Sequence, residues 1–372
     1  MANHAHGVWQ VNTARWLLIA SLTVAGLVSG GCAPNWLGIR STKPVVKIGL
    51  VAPFEGRYRS LGYEALYAAK WAVQQRNEAG GVAGYMVELV ALDDGDDPDS
   101  SAFQADKFAI DGDVMGVVGP FSSATVRAAA TGYHESGLAS ITPATCPTPA
   151  TLAGYSEVFC LGAGGDALAQ ALSDHLPAGA RAALIRSQAG ALGDALRPKV
   201  GEVLQAPGSE EAFTEARAHP ADVYLYDGDA LSAAELATDM YQAGITASVW
   251  GGPDLARSQM PQLAGDAAAT ICYAQTAPFL ADLSAGSAFA VGYGELAGNA
   301  PGVWAGLTYD ATTLLLDALQ QDIAAEGHPT RHGVIEQLSL ARGPDELPVF
   351  EEGMRRAADT LFECYGQGET DR

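Results

Sequence analysis

Basic residues are scarce in this chain. It has 21 Lys plus Arg against 43 Asp plus Glu in 372 residues, a formal charge of −22. Nucleic-acid binding needs clustered cations to meet phosphates, so this balance argues against such a partner and reads as a solubilising acidic surface. The apolar run Trp16 to Val28 has 13 residues, too few for a membrane span of roughly 20. Catalytic signatures are also missing. The sequence holds no GxSxG elbow, no HExxH, no GxxxxGK[ST] and no GxGxxG after a strand, and no histidine falls at a sheet edge where it could activate a serine. This excludes the common enzyme classes and leaves no cofactor implied.

Metal-ligand spacing is equally poor. None of the five cysteines forms a CxxC pair, which argues against zinc. The acidic turn Asp93-Asp94-Gly95-Asp96-Asp97 lacks the glycine and glutamate positions of a calcium loop, and its aspartates read as caps of the following helix. His328 and His332 are four apart with Pro329 between them and read as surface residues. No metal site is expected.

What is present is a globular composition, 48% hydrophobic and 17% charged, with 43 Gly and 19 Pro for many short turns. Residues 1–31 have the form of an export signal: an acid-free segment to Arg15, the apolar run, then Ser29-Gly30-Gly31. Cleavage after Gly31 exposes Cys32, and LVSGGC resembles the lipobox of bacterial lipoproteins, with Ser29 where that box usually has leucine. Lipidation of Cys32 is therefore expected; the alternative is an ordinary secreted protein with a free Cys32. Residues 32–44 read as a tether. Export permits disulfides. Cys146, Cys160, Cys272 and Cys364 allow three pairings. A Cys146–Cys160 bridge would close a loop of about 15 residues, worth on the order of 3 kcal/mol, and would leave Cys272 with Cys364. Four buried thiols are the alternative.

From Val45 onward, strand and helix alternate. Apolar strands at Val45–Val51, Val87–Leu92 and Val114–Val118 are separated by helical patterns at Tyr63–Glu78 and Ser100–Ile110. Short βαβ units of this kind imply a parallel sheet covered on both faces. The pattern restarts near Phe159–Gly165. Further strands follow at 182–185, 202–204, 221–226, 247–250, 271–274 and 360–365, with helices between them. The stretch 115–147 organises the first half. An apolar strand breaks at Gly119-Pro120, offers Ser122 and Ser123, and turns helical; a second strand ends in Thr142-Pro143-Ala144-Thr145. Both turns lie at one edge of a parallel sheet, where ligands bind, and the helix N-terminus there favours an anion. Without a ligand, the serines would simply cap the helix.

These residues carry a resemblance. The run from KIGLVAPFEG through VELVALDDGDDP, then GVVGPFSSATV and YHESGLASITPAT, with PADVYLYDG, VWGGPD and GYGELAGNAPGVWAGLTYDATTLLLDAL in the same order, resembles type 1 periplasmic binding proteins of the leucine/isoleucine/valine-binding family. The similarity covers about Lys47 to Gln367. It implies an α/β fold of two doubly wound parallel-sheet lobes joined by a three-strand hinge, with 45–160 plus 277–345 in the first lobe and 161–276 plus 346–372 in the second. It also implies a lipid-anchored, extracytoplasmic, monomeric protein, not an enzyme, that closes on an amino acid or similar zwitterion and delivers it to an ABC transporter permease. A sensor that signals to a membrane partner is the alternative on the same fold.

Carried over by position, Ser123 would hold the ligand carboxylate, flanked by Phe121 and Ser122. Ala144 and Thr145 would offer a carbonyl and a hydroxyl. Asp254 would receive the ammonium, with Asp227 as a second candidate, and Phe54, Tyr58 and Leu61 would line the side-chain pocket. Three departures stand out. Cys146 adjoins a hydroxyl position, Leu192 stands where an aromatic commonly reaches the ligand, and Asp96 and Ser122 occupy the positions of a family disulfide. The resemblance further places Cys272 and Cys364 on strands near the hinge, and Cys146 and Cys160 near the first crossover.

Overall fold

The structure is a computed structural model that describes residues 43–145, 152–187, 191–356 and 358–366; all elements below belong to one unit, Pro44–Arg372. The first apolar run forms β1, Val45–Ala52, the second-from-edge strand of a seven-stranded sheet. Beside it lie β2 (Met86–Asp93) on one side and β3 (Val114–Val118), β4 (Ala139–Thr142) and β5 (Val158–Cys160) on the other, all parallel. Alternation along β1 decides what each face buries. Ile48 and Leu50 join a core with helices α1 (Arg59–Glu78) and α10 (Val303–Glu326), while Val51 packs with Phe108 of α2 (Pro98–Ile110) and Tyr133 of α3 (Ser123–Ser136). Both faces are therefore covered.

The second sheet is built the same way. Parallel strands β6 (Ala182–Arg186), β7 (Glu202–Gln205), β8 (Val223–Asp227), β9 (Ser248–Gly251) and β10 (Ile271–Thr276) are completed by the antiparallel edge strand β13 (Thr360–Cys364). Helix α7 (Ala230–Gln242) packs Ala233, Leu236, Ala237 and Met240 on one face, and α4 (Gly165–Asp174) packs Leu168 and Leu172 on the other. Cys272 and Cys364 are register partners on β10 and β13 and form a disulfide, with Cα atoms 4.0 Å apart.

Three crossings join the sheets, as the resemblance implies. They are tied to one another by hydrogen bonds: Ala163 N–H to Thr276 Oγ1 at 2.7 Å, and Ala277 N–H to the Asp359 carbonyl at 2.8 Å. The third crossing differs from the expected boundary. The resemblance puts residues 346–372 in the second lobe, yet β11 (Phe350–Glu351) and β12 (Met354–Arg355) add to the first sheet, β12 pairing with Cys160 of β5. The chain changes lobe only just before β13. Two-residue strands between turns carry no periodicity, which is why the pattern does not show them. The expected Cys146–Cys160 bridge is also corrected: Cys160 is a free, buried cysteine, while Cys146 and Cys32 lie outside the described residues. No described helix is long and apolar enough to cross a membrane.

Candidate functional site

The carboxyl ends of both sheets face a cavity of about 570 Å³. On the first lobe's side, the end of β3 runs through Phe121 into α3. Ser122 caps that helix: its hydroxyl accepts from Thr125 N–H at 3.3 Å, and Thr125 Oγ1 accepts in turn from Ser122 N–H at 3.1 Å. This capping box satisfies one first-turn amide and leaves those of Ser123 and Ala124, which intrahelical bonding does not use, at the positive end of the helix. The Ser123 hydroxyl donates to the Thr145 carbonyl across the two turns. Ser122, Ser123, Ala124 and Thr145 all line the cavity.

The opposite wall comes from β8 and β9. β8 ends in Asp227, followed by Gly228 and Asp229; β9 leads into the turn Pro253–Leu255, which carries Asp254. Asp254 Oδ1 lies 3.4 Å from Nη2 of Arg257, whose Nε also donates to the Asp254 carbonyl at 3.1 Å. About half of the Asp254 side chain (49%) is solvent-accessible. Desolvation pushes its pKa up, with Arg257 opposing the rise and Asp229 adding to it. Asp227 is more enclosed, 9% exposed. Burial pushes its carboxyl up to about 6, against the pull of Arg186 and with the repulsion of Asp254 and Asp194 added. The guanidinium of Arg257 bridges the lobes, lying 5.2 Å from the Trp304 ring centroid and 5.6 Å from that of Tyr58. Trp304 Nε1–H in turn donates to the Ala256 carbonyl at 3.0 Å.

The structure thus brings Tyr58, Phe121, Ser122, Ser123, Thr145, Leu192, Asp227 and Asp254 to one cavity. Three expected residues are placed elsewhere. Leu61 is 3% exposed and Phe54 packs against the same first-lobe core. The physical reason is that α1 begins at Arg59 rather than Tyr63, so Leu61 heads the apolar face continued by Ala65, Ala68 and Ala72. Ala144 is buried in a small cluster with Val126 and Cys160. Its carbonyl lies close against Gly162, where a Cβ would stand 1.8 Å from it, and Ala144 is not on the cavity lining.

Sequence reasoning missed Asp96, Arg127, Asp194, Tyr226, Asp229 and Trp304 on the lining. Asp96 holds a positive φ of 60° in the acidic turn and faces the Ser122 hydroxyl, at the two positions where the family disulfide would stand. Burial raises its pKa and that hydrogen bond opposes the rise. Of the turn's other acids, Asp97 has the expected capping role and Asp93 does not. Asp97 caps α2 through Ser100 N–H at 2.8 Å, and Asp93 Oδ1 accepts from Phe54 N–H at 2.6 Å.

A cleft between two α/β lobes, with helix-terminal amides on one wall, carboxylates on the other and a tied three-strand hinge behind, defines a hinged small-molecule binding protein. The comparisons with known proteins are specific. The periplasmic binding protein family matches residues 45–371, and the chain belongs to that family, which consists of binding proteins and not enzymes. A leucine-, isoleucine-, valine-, threonine- and alanine-binding protein of Pseudomonas aeruginosa is 32% identical over 142 residues, 38% of this chain and 35% of that protein. The Leu/Ile/Val-binding protein BraC3 of Rhizobium johnstonii is 25% identical over 60% of this chain and 65% of its own length. The matched stretches thus span less than two thirds of these relatives. Among solved structures, the branched-chain amino acid transporter substrate binding protein LivJ of Streptococcus pneumoniae, in complex with isoleucine, superposes with a TM-score of 0.73 at 19% identity, covering 86% of this chain and 100% of that one. A solute binding protein of R. palustris in complex with benzoate gives a TM-score of 0.70 at 20% identity, covering 87% of this chain and 94% of that one.

Proposed function

We propose that this chain is the substrate-binding protein of an ABC transporter and that its lobes close on an amino acid or a similar small zwitterion. One juxtaposition supports the reading. Ser123, Thr145 and the amide end of α3 lie across a single cavity from Asp254 and Asp227, an arrangement suited to a carboxylate on one wall and an ammonium on the other. The polarity of each wall follows from elementary electrostatics: a helix N-terminus stabilises an anion, and a buried ammonium must meet a carboxylate. Tyr58, Phe121, Trp304 and Leu192 supply the apolar part of the lining. Relatives named for leucine, isoleucine, valine, threonine and alanine favour an amino acid as the ligand.

Isothermal titration calorimetry of the refolded, ligand-free protein against the standard amino acids tests the reading. Micromolar binding of at least one of them is expected, a free energy of about −8 kcal/mol. Absence of heat with all of them, and with amides and short aliphatic acids, overturns it. Lipid attachment at Cys32 follows from the LVSGGC sequence and would keep the protein beside its permease. Loss of membrane partition in a Cys32→Ser variant is the expected outcome, and unchanged partition removes the anchor.

A further inference from the structure

Asp227 lines the cavity from the end of β8 and is 9% exposed, yet its Oδ2 has no hydrogen-bond partner among the described residues. A buried carboxylate oxygen without a donor is costly, and the neighbours, the Gly193 N–H and Arg186, offset the burial of Asp227 only in part. The nearest cation, Arg186, holds its Nε 4.0 Å away and spends its Nη2 on Asp194 at 3.0 Å. Room for the oxygen is kept by residue 193, where a Cβ in place of the glycine hydrogen would stand 2.0 Å from Oδ2.

The other carboxylates on the lining are engaged. Asp229 caps α7 through Leu231 and Ser232, Asp254 meets Arg257, Asp194 meets Arg186, and Asp96 faces Ser122. Among the described residues, Arg127 is the sole cation against these five acids on the lining. If Asp254 takes the α-ammonium, Asp227 is left for a second donor on the same ligand. The aliphatic pocket implied for Phe54 and Leu61 is not built, because both side chains belong to the first-lobe core.

We propose that the clamp is made for an amino acid whose side chain ends in a nitrogen hydrogen-bond donor, an ammonium, guanidinium or carboxamide, received by Asp227. The inference rests on the amino-acid reading above and narrows it. A charge-assisted bond from such a donor to the orphaned oxygen is of the stronger kind, and its absence with an aliphatic ligand leaves the acid unpaired. A ligand lacking the donor is therefore rejected by a cost and not merely by a missing contact.

Calorimetry with L-lysine, L-arginine, L-glutamine, L-leucine and L-isoleucine decides the matter. At least one of the first three is expected to bind tenfold or more tighter than leucine and isoleucine. Asp227→Ala should reduce that preference at least tenfold, and Asp227→Asn, which keeps the side-chain volume, should do so for lysine and arginine. Leucine or isoleucine binding as tightly as all three overturns the inference while leaving the amino-acid clamp standing. So does an equal loss for lysine and leucine in either variant, since Asp227 would then serve the α-ammonium they share. No heat with any amino acid takes down the clamp reading itself and this inference with it.

Discussion

Arg257 braces Asp254 from behind, with Nη2 3.4 Å from its carboxylate and Nε 3.1 Å from its carbonyl. The brace opposes the upward push that desolvation gives the Asp254 carboxyl. Replacing Asp254 with alanine should weaken zwitterion binding 30-fold or more, because an unpaired buried charge costs about 2–5 kcal/mol. Plain carboxylates should be spared. Equal losses for an amino acid and for its deaminated analogue would remove Asp254 from the ammonium seat. Arg257→Met should make amino-acid binding more acid-sensitive, with affinity falling more steeply on acidification than in the parent, because the pull that opposes desolvation at Asp254 is removed.

The cleft also marks where sequence reading stops. Strands and most helices were legible from apolar runs and 3.6-residue spacing, and the serine-capped start of α3 was legible as a turn. Leu61 is misplaced because a four-residue error in the start of α1 turns a core face into a loop, and Phe54, which precedes the helix, is held at the core by a distant contact, its N–H bonding Asp93. Trp304 was unreadable as a site residue: it lies far along the chain from Ser123, and an aromatic at the start of an apolar helix reads as core. It is core, at 3% exposure, and it meets the cleft as well. Arg257 was unreadable for a related reason, since its role depends on rings of the other lobe. Tertiary contacts between distant segments leave no local periodicity to detect.

Three buried carboxyls, Asp94, Asp227 and Asp310, are each pushed up to about 6 from 3.8, with desolvation as the first cause. Their folded values exceed their unfolded ones, so between about pH 4 and 6 the folded state holds more protons. Their contribution is fully present below pH 4 and is lost as pH rises through 6. A displacement of this size is on the order of 3 kcal/mol for a single group. Asp97, Asp111, Asp222 and Asp282 are shifted the other way, chiefly by hydrogen bonds, and lose their contribution as pH falls below about 4. The ligand-free protein should therefore melt at least about 3 °C lower at pH 7.5 than at pH 5.5. A melting temperature that rises over this interval would contradict the assignment, and Asp227→Asn should flatten the dependence.

The disulfide joins the last strand of the second lobe to β10 across a separation of 92 residues. In the loop-entropy account a cross-link of that span stabilises by about 4–5 kcal/mol, and native bridges commonly deliver 2–5. Its partners are already neighbours in the sheet, so the folded state needs no bridge to form the ladder. The double variant Cys272→Ser, Cys364→Ser should fold with the same circular dichroism and unfold at lower urea concentration, losing at least 2 kcal/mol. A loss under about 0.5 kcal/mol would show that the bridge constrains little in the unfolded chain.

Asp310 of α10 is fully buried and accepts three backbone N–H groups from the segment that follows the second crossing, Phe279 at 2.7 Å, Leu280 at 3.2 Å and Ala281 at 2.8 Å. Arg355 closes the same corner, donating to the Ala277 carbonyl at 2.9 Å and lying 4.6 Å from the Phe279 ring centroid. The carboxylate thus anchors the segment returning from the hinge to α10. Removing it strands amide donors that were satisfied by a charged acceptor, and such bonds are worth about 1.5–3 kcal/mol each when to a charge. Asp310→Ala should cost about 3–5 kcal/mol in urea unfolding, and Asp310→Asn, which keeps one acceptor oxygen, should cost less. A change below 1 kcal/mol in the alanine variant would mean that solvent replaces the carboxylate at these amides, and that the corner does not hold the hinge segment in place.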